Sequence, residues 1–174
     1  ETGGNIRVTC PAPTNPFNLA GLQTAAVYEE NKVLQHNMWR RLNTDEVAEP
    51  NAFAVCATIA AFTYGEDWLD QLREYVEGNK QYVTEFIERE IPQVKVVKSE
   101  ATYLIWLDIS ALTMDSDAMY EFIRKDSGLY LASGREYGTN GDGFLRLNVA
   151  TRRANVEDGM HRLKKSVEDF VRQR

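Results

Sequence analysis

The sequence is poor in the residues that build covalent or metal-held frameworks. Two cysteines, Cys10 and Cys56, allow at most one disulfide in 174 residues. Their settings, a Val-Thr-Cys-Pro loop and an Ala/Val-rich helical stretch, read as two buried thiols. The two histidines, His36 and His161, lie far apart in the chain and neither falls in a ligand cluster, so no zinc site is expected. Basic charge is also scarce: 20 Lys+Arg stand against 26 Asp+Glu, a net charge of -6. Phosphate-rich partners want a basic face, so neither nucleic acid nor an anionic membrane is expected as a partner. No run approaches the ~20 apolar residues of a membrane span. There is no signal-peptide pattern and no Asn-x-Ser/Thr site. What remains is an ordinary globular balance, 43% hydrophobic and 26% charged. A chain this long can bury a core without disulfide staples.

Three of the five prolines, Pro11, Pro13 and Pro16, keep residues 6–18 irregular. From Leu19 a helical period appears at Leu22, Ala26, Val33, Leu34, Met38 and Leu42. It predicts one long amphipathic helix over 19–42, ending near Asn43. A second helix follows Pro50, with Phe53, Val55, Cys56, Ile59 and Phe62 leaving few polar faces, so it is expected to be well buried. A third runs from about Glu66 to Ile91 and is stopped by Pro92; its aromatic stripe, Trp68, Tyr75, Tyr82 and Phe86, reads as core. The period then changes. Residues 94–98, 103–109, 129–132 and 144–149 read as strands. A helix over 115–125 is N-capped by Asp115 or Ser116, and a last helix starts near Asn155. Gly134, Gly138, Gly141 and Gly143 predict a flexible connection between the last two strands. The fold class is therefore α+β: an α-rich first half, then a ββαββα sandwich with helices on one face of a small sheet.

Three stretches carry a family resemblance. They are Pro16-Phe17-Asn18-Leu19-Ala20-Gly21-Leu22-Gln23, then Tyr64-Gly65-Glu66-Asp67-Trp68 with Glu100-Ala101-Thr102-Tyr103-Leu104-Ile105-Trp106, and Tyr137-Gly138 with Gly143-Phe144-Leu145-Arg146-Leu147-Asn148. Together they resemble the C-terminal part of a cystathionine β-lyase of the class I/II aminotransferases, the fold type I pyridoxal-phosphate (PLP) enzymes. The resemblance implies the small C-terminal domain of that fold, preceded by long helices, with PLP as the cofactor of the parent family. It also implies that the large domain, with its ring-stacking aromatic and its pyridinium partner, lies outside these residues. Arg146 matches the residue that grips the substrate α-carboxylate. Asn15 falls where the family has the lysine that forms the Schiff base, and an amide cannot form an imine. Against the family's extended linker and Pro-Asn turn, the sequence predicts continuous helix after Gln23, and Thr151-Arg152-Arg153 stands where Cys-Pro-Arg is usual.

Glu1-Thr2-Gly3-Gly4 resembles the remnant of an animal-cell secretion vector. This places a vector-derived tag at 1–5, a redesigned linker and helix at 6–50 and the aminotransferase-like small domain at 51–174, in a secreted recombinant product with cytoplasmic relatives. The leading expectation is an engineered scaffold that is not an enzyme, has no catalytic residue, cofactor or metal, and presents a surface to an antibody or a designed target protein. That surface comprises Glu29, Glu30, Lys32, Gln35, His36, Trp39 and Arg40. Trp39 reads either as core or as an interface anchor. Arg146 reads either as the relic of a carboxylate site or as an ordinary strand arginine, paired with a nearby acid or solvated. The alternatives are a fragment of a PLP-dependent C–S lyase or aminotransferase, and a natural non-enzymatic paralogue. A monomer is expected.

Overall fold

The period-two runs of the C-terminal half form an antiparallel sheet. A computed structural model describes residues 8–173, so the tag expected at 1–5 lies outside the described residues. The elements follow as α1 (Lys32–Thr44), α2 (Ala54–Tyr64), α3 (Glu66–Glu90), β1 (Lys95–Val96), β2 (Leu104–Asp108), α4 (Ser116–Ser127), β3 (Ala132–Ser133), β4 (Phe144–Asn148) and α5 (Arg153–Arg172). From β1 onward this is the ββαββα order. The chain divides into two compact units at Leu72/Arg73, whereas the sequence places a border at 50/51.

In the second unit the sheet order is β1-β2-β4-β3, all antiparallel. Strand alternation separates two faces. Ile105, Leu107, Leu145 and Leu147 are buried, with Ile109 and Val149 just beyond the strand ends. The helices contribute Val76, Val83, Phe86 and Ile87 from α3, Met119 and Ile123 from α4, and Val156, Met160, Leu163 and Val167 from α5. Helix ends follow local chemistry. Asp115 Oδ1 accepts from the Ala118 N–H at 3.0 Å, and Gly128 ends α4 at φ 70°, a left-handed conformation that favours glycine. Asn79, fully buried in α3, donates to the carbonyls of Val149 (2.9 Å) and Thr151 (3.0 Å), tying the helix to the end of β4.

The first unit departs from expectation. There is no helix over 19–42. A 3-10 turn at Ala20–Leu22 is followed by extended chain, and Thr9 and Tyr28 pair as an antiparallel bridge. Helix α1 begins only at Lys32, because the Asn31 side chain accepts from the Val33 (3.0 Å) and Leu34 (3.2 Å) amides. Extended chain and an asparagine cap thus stand where continuous helix was expected, though no proline directly precedes Asn31. Helix α1 buries no residue, and Val33 is 69% exposed. Helix α2 is not well buried either: Val55, Ile59, Phe62 and Tyr64 are exposed, and only Ala54 is buried. Both cysteines are free and exposed. In the aromatic stripe of α3 only Phe86 is buried, while Trp68 and Tyr75 are about half exposed, at 46% and 48%. An apolar period reports which face a helix would bury, not whether a neighbour covers it.

Among the described residues no helix is long and apolar enough to cross a membrane.

Candidate functional site

The face of the sheet opposite the buried residues carries Leu104, Trp106 and Asp108 from β2 and Phe144, Arg146 and Asn148 from β4. Trp106 and Arg146 are direct cross-strand partners, and Ala132 of β3 flanks Arg146 on its other side. The guanidinium carbon of Arg146 lies over the Tyr137 ring, 4.4 Å from its centroid. Trp106 meets the same ring edge-to-face at 5.4 Å and 88°, and meets Phe144 edge-to-face at 6.3 Å. Among the described residues Arg146 makes no ion pair, so its donors are not committed to a neighbouring acid. Of the ordinary reading, a strand arginine paired with an acid or solvated, the paired form is not what is seen. On the same face, Asp108 accepts from the Ser110 amide at 2.9 Å, and hydrogen bonds from Ser110 hold its carboxyl below the ordinary aspartate range.

Tyr137 is placed by the glycine-rich connection, which is not a flexible loop. Two 3-10 turns, Gly134–Tyr137 and Thr139–Gly141, pack against each other. A Cβ on Gly134 would collide with the Gly141 carbonyl and lie 2.7 Å from the Phe144 carbonyl, so this approach requires glycine. Gly138 reverses the chain directly after Tyr137 at φ 126°. Side chains lock the arrangement. Ser116 Oγ donates to the Gly141 carbonyl (3.1 Å) and accepts from the Phe144 amide (3.1 Å). Arg135 reaches Asp142 at 3.0 Å and Asp117 at 3.5 Å. The family resemblance implies that Tyr137 and the Gly138–Gly143 stretch border the same site as Arg146; the contact of the ring with the guanidinium has no sequence signal.

Arg153, the surviving arginine of the Thr151-Arg152-Arg153 stretch, opens α5. Its amide donates to Tyr75 Oη at 2.8 Å and its guanidinium carbon lies 5.0 Å from the Tyr82 ring centroid. It braces α5 against α3.

In the first unit the Phe17 motif packs on the α2–α3 junction. Phe17 meets Phe62 edge-to-face at 5.2 Å, stacks on Trp68 at 6.1 Å, and comes within 2.6 Å of where a Gly65 Cβ would sit. Two of the stretches that carry the resemblance thus touch. Asn15 lies exposed in the turn preceding Phe17, where the Phe17 amide donates to the Pro13 carbonyl at 3.1 Å. The amide of Asn15 is not nucleophilic, so the residue present at this position does not fit a covalently held PLP.

Six of the seven residues expected to form a binding surface, Glu30, Lys32, Gln35, His36, Trp39 and Arg40, are exposed. Glu29 is buried: Oε1 accepts from the Asn31 amide at 2.7 Å, and Oε2 has no partner. Trp39 is 61% exposed and stacks on His36 at 6.2 Å, so it is not core. Of these residues Glu29, Lys32, Gln35, His36 and Trp39 border an open groove of about 1030 Å³ with Val27, Val47 and Ile59; Glu30 and Arg40 do not.

No protein-family model matches the chain. Curated relatives and solved structures do. Cystathionine beta-lyase PatB of Bacillus subtilis is 38% identical over 160 residues, which is 92% of this chain and 41% of that protein. The PLP-bound C–S lyase of Staphylococcus hominis superposes with a TM-score of 0.81 at 30% identity, covering 92% of this chain and 39% of that one. Cystalysin of Treponema denticola, whose structure contains PLP, superposes with a TM-score of 0.89 at 27% identity, covering 93% and 41%. The chain therefore spans about two fifths of the length of these relatives. The expectation of a protein that is not an enzyme is overturned, because the relatives are lyases. The engineered-scaffold reading finds no support in them, and its stated alternative does.

Proposed function

Since the chain corresponds to the small C-terminal region of the fold type I PLP-dependent aminotransferase-like proteins, we propose that it serves as the amino-acid-carboxylate-recognising part of a PLP-dependent C–S lyase. The observation that carries this is Arg146, a guanidinium on the open face of the sheet with no acidic partner among the described residues. A guanidinium presents a planar fork of donors that matches a carboxylate bidentately. PLP, when bound in such enzymes, supplies the electron sink for elimination next to the amino-acid Cα. The part played by this chain is to bind and orient the carboxylate. No step is assigned to Asn15.

The test is binding by the protein itself. NMR of the Arg146 Nε–Hε signal is followed during titration with sodium acetate and with L-alanine, against sodium chloride at equal ionic strength. A saturable shift with both carboxylates, absent in Arg146→Gln, is expected. A response no larger than that to chloride would sink the proposal.

A further inference from the structure

The second unit holds an arrangement that the carboxylate reading does not use. Two other arginines of this unit are held by acids: Arg135, in the first 3-10 turn, by Asp142 and Asp117, and Arg162, in α5, by Asp158 at 2.7 Å. Arg146 is held by a ring. Tyr137 lies under its guanidinium carbon at 4.4 Å, Trp106 meets the tyrosine edge-to-face at 5.4 Å, and Phe144 meets Trp106 in the same way. The difference is chemical. A carboxylate partner occupies the in-plane N–H donors of a guanidinium. A ring placed against its face attracts the cation through the quadrupole and leaves those donors free.

We infer that Tyr137, backed by Trp106, is a positioning residue that orients Arg146 for an incoming carboxylate while leaving its donors uncommitted. This rests on the carboxylate reading above. Three features of the structure converge on it. Tyr137 sits on a connection whose glycine contacts and Ser116 and Arg135 bonds fix its position. Trp106 is the cross-strand partner of Arg146, so it is bound to the same register. The free donors of Arg146 then cost less ordering when a ligand arrives, since the long side chain is already restrained.

Two variants separate the ring from the hydroxyl: Tyr137→Phe keeps the aromatic face, Tyr137→Leu removes it. Each is checked for a native-like amide spectrum, and the Arg146 Nε–Hε signal is recorded with and without acetate. In the wild type the ring current should displace this signal upfield. Tyr137→Phe should keep both that displacement and the acetate affinity. Tyr137→Leu should lose the displacement and bind acetate about 3- to 10-fold more weakly, the range a cation–π contact supports. Trp106→Phe, which keeps an edge to pack on the ring, should resemble Tyr137→Phe. Full acetate affinity in Tyr137→Leu overturns the positioning role and leaves the carboxylate reading standing. An equal loss in Tyr137→Phe and Tyr137→Leu overturns it too, by assigning the effect to the hydroxyl. A wild type that shows the ring-current displacement but ignores acetate overturns the carboxylate reading instead, and the positioning role with it.

Discussion

Gly134 and Gly141 approach so closely that each occupies the space of the other's missing side chain. Backbone, not a flexible side-chain tip, would have to yield to a methyl group there. Gly134→Ala is expected to destabilise the protein by about 3 kcal/mol, read as a lower urea midpoint at unchanged m-value. Gly21, with nothing within 4 Å, is the control, and alanine there should be close to neutral. A second residue-scale expectation concerns acid. Glu90 accepts from Lys164 Nζ at 2.7 Å and Arg89 Nε at 2.8 Å, which lowers its carboxyl to about 2, Lys164 contributing first. The folded value lies below the unfolded one of about 4.3. The stabilisation is thus fully present above roughly pH 5 and is lost as pH falls toward 2. The group is partly solvated, so the effect is modest. Urea midpoints at pH 6 and pH 2.5 should differ less in Glu90→Gln than in the wild type; an equal pH dependence would remove Glu90 from the acid limb.

At the scale of elements, helix α1 owes its start to one side chain. Asn31→Ala removes the acceptor for two amides and is expected to cost about 1 kcal/mol of local stability, visible as faster exchange of the Val33 and Leu34 amides. Val33→Asp should change global stability by no more than about 0.5 kcal/mol, because Val33 faces solvent. Leu163→Ala, in the packed face of α5, should cost about 2–5 kcal/mol. An α1 whose Val33→Asp variant unfolds would contradict the fold described. The ββαββα half was legible because its apolar residues alternate along short strands and recur with helical period in α4 and α5. The first unit was not. Leu22, Ala26, Val33 and Leu34 keep a helical spacing by coincidence across an extended segment, and the decisive cue, an asparagine ahead of Lys32, is a capping signal and not a hydrophobic one. The site was half legible. Arg146 came from motif resemblance, whereas its hold by Tyr137 needs the packing of Gly134 on Gly141, which no periodicity reports.

At the scale of the whole molecule, the two units differ in how much they bury. The second holds nearly all of the buried apolar side chains; among the described residues of the first, only Pro13 and Ala54 are buried apolar ones. Segments with few buried contacts open at low free energy cost. Brief trypsin digestion should therefore cut first before position 73, at Lys32, Arg40 or Arg41, and leave a resistant C-terminal piece identifiable by mass. Early cleavage at Arg135, inside the glycine connection, would contradict the locked arrangement described for it. The exposed face of α2 has a practical corollary. Phe53, Val55, Ile59, Phe62 and Tyr64 are all open to solvent on a chain of net charge -6. At low salt that charge keeps copies apart. Ammonium sulfate screens the repulsion and strengthens apolar association together. The protein should thus bind early and elute late from a phenyl column, and a lysine at Ile59 should bring its elution forward.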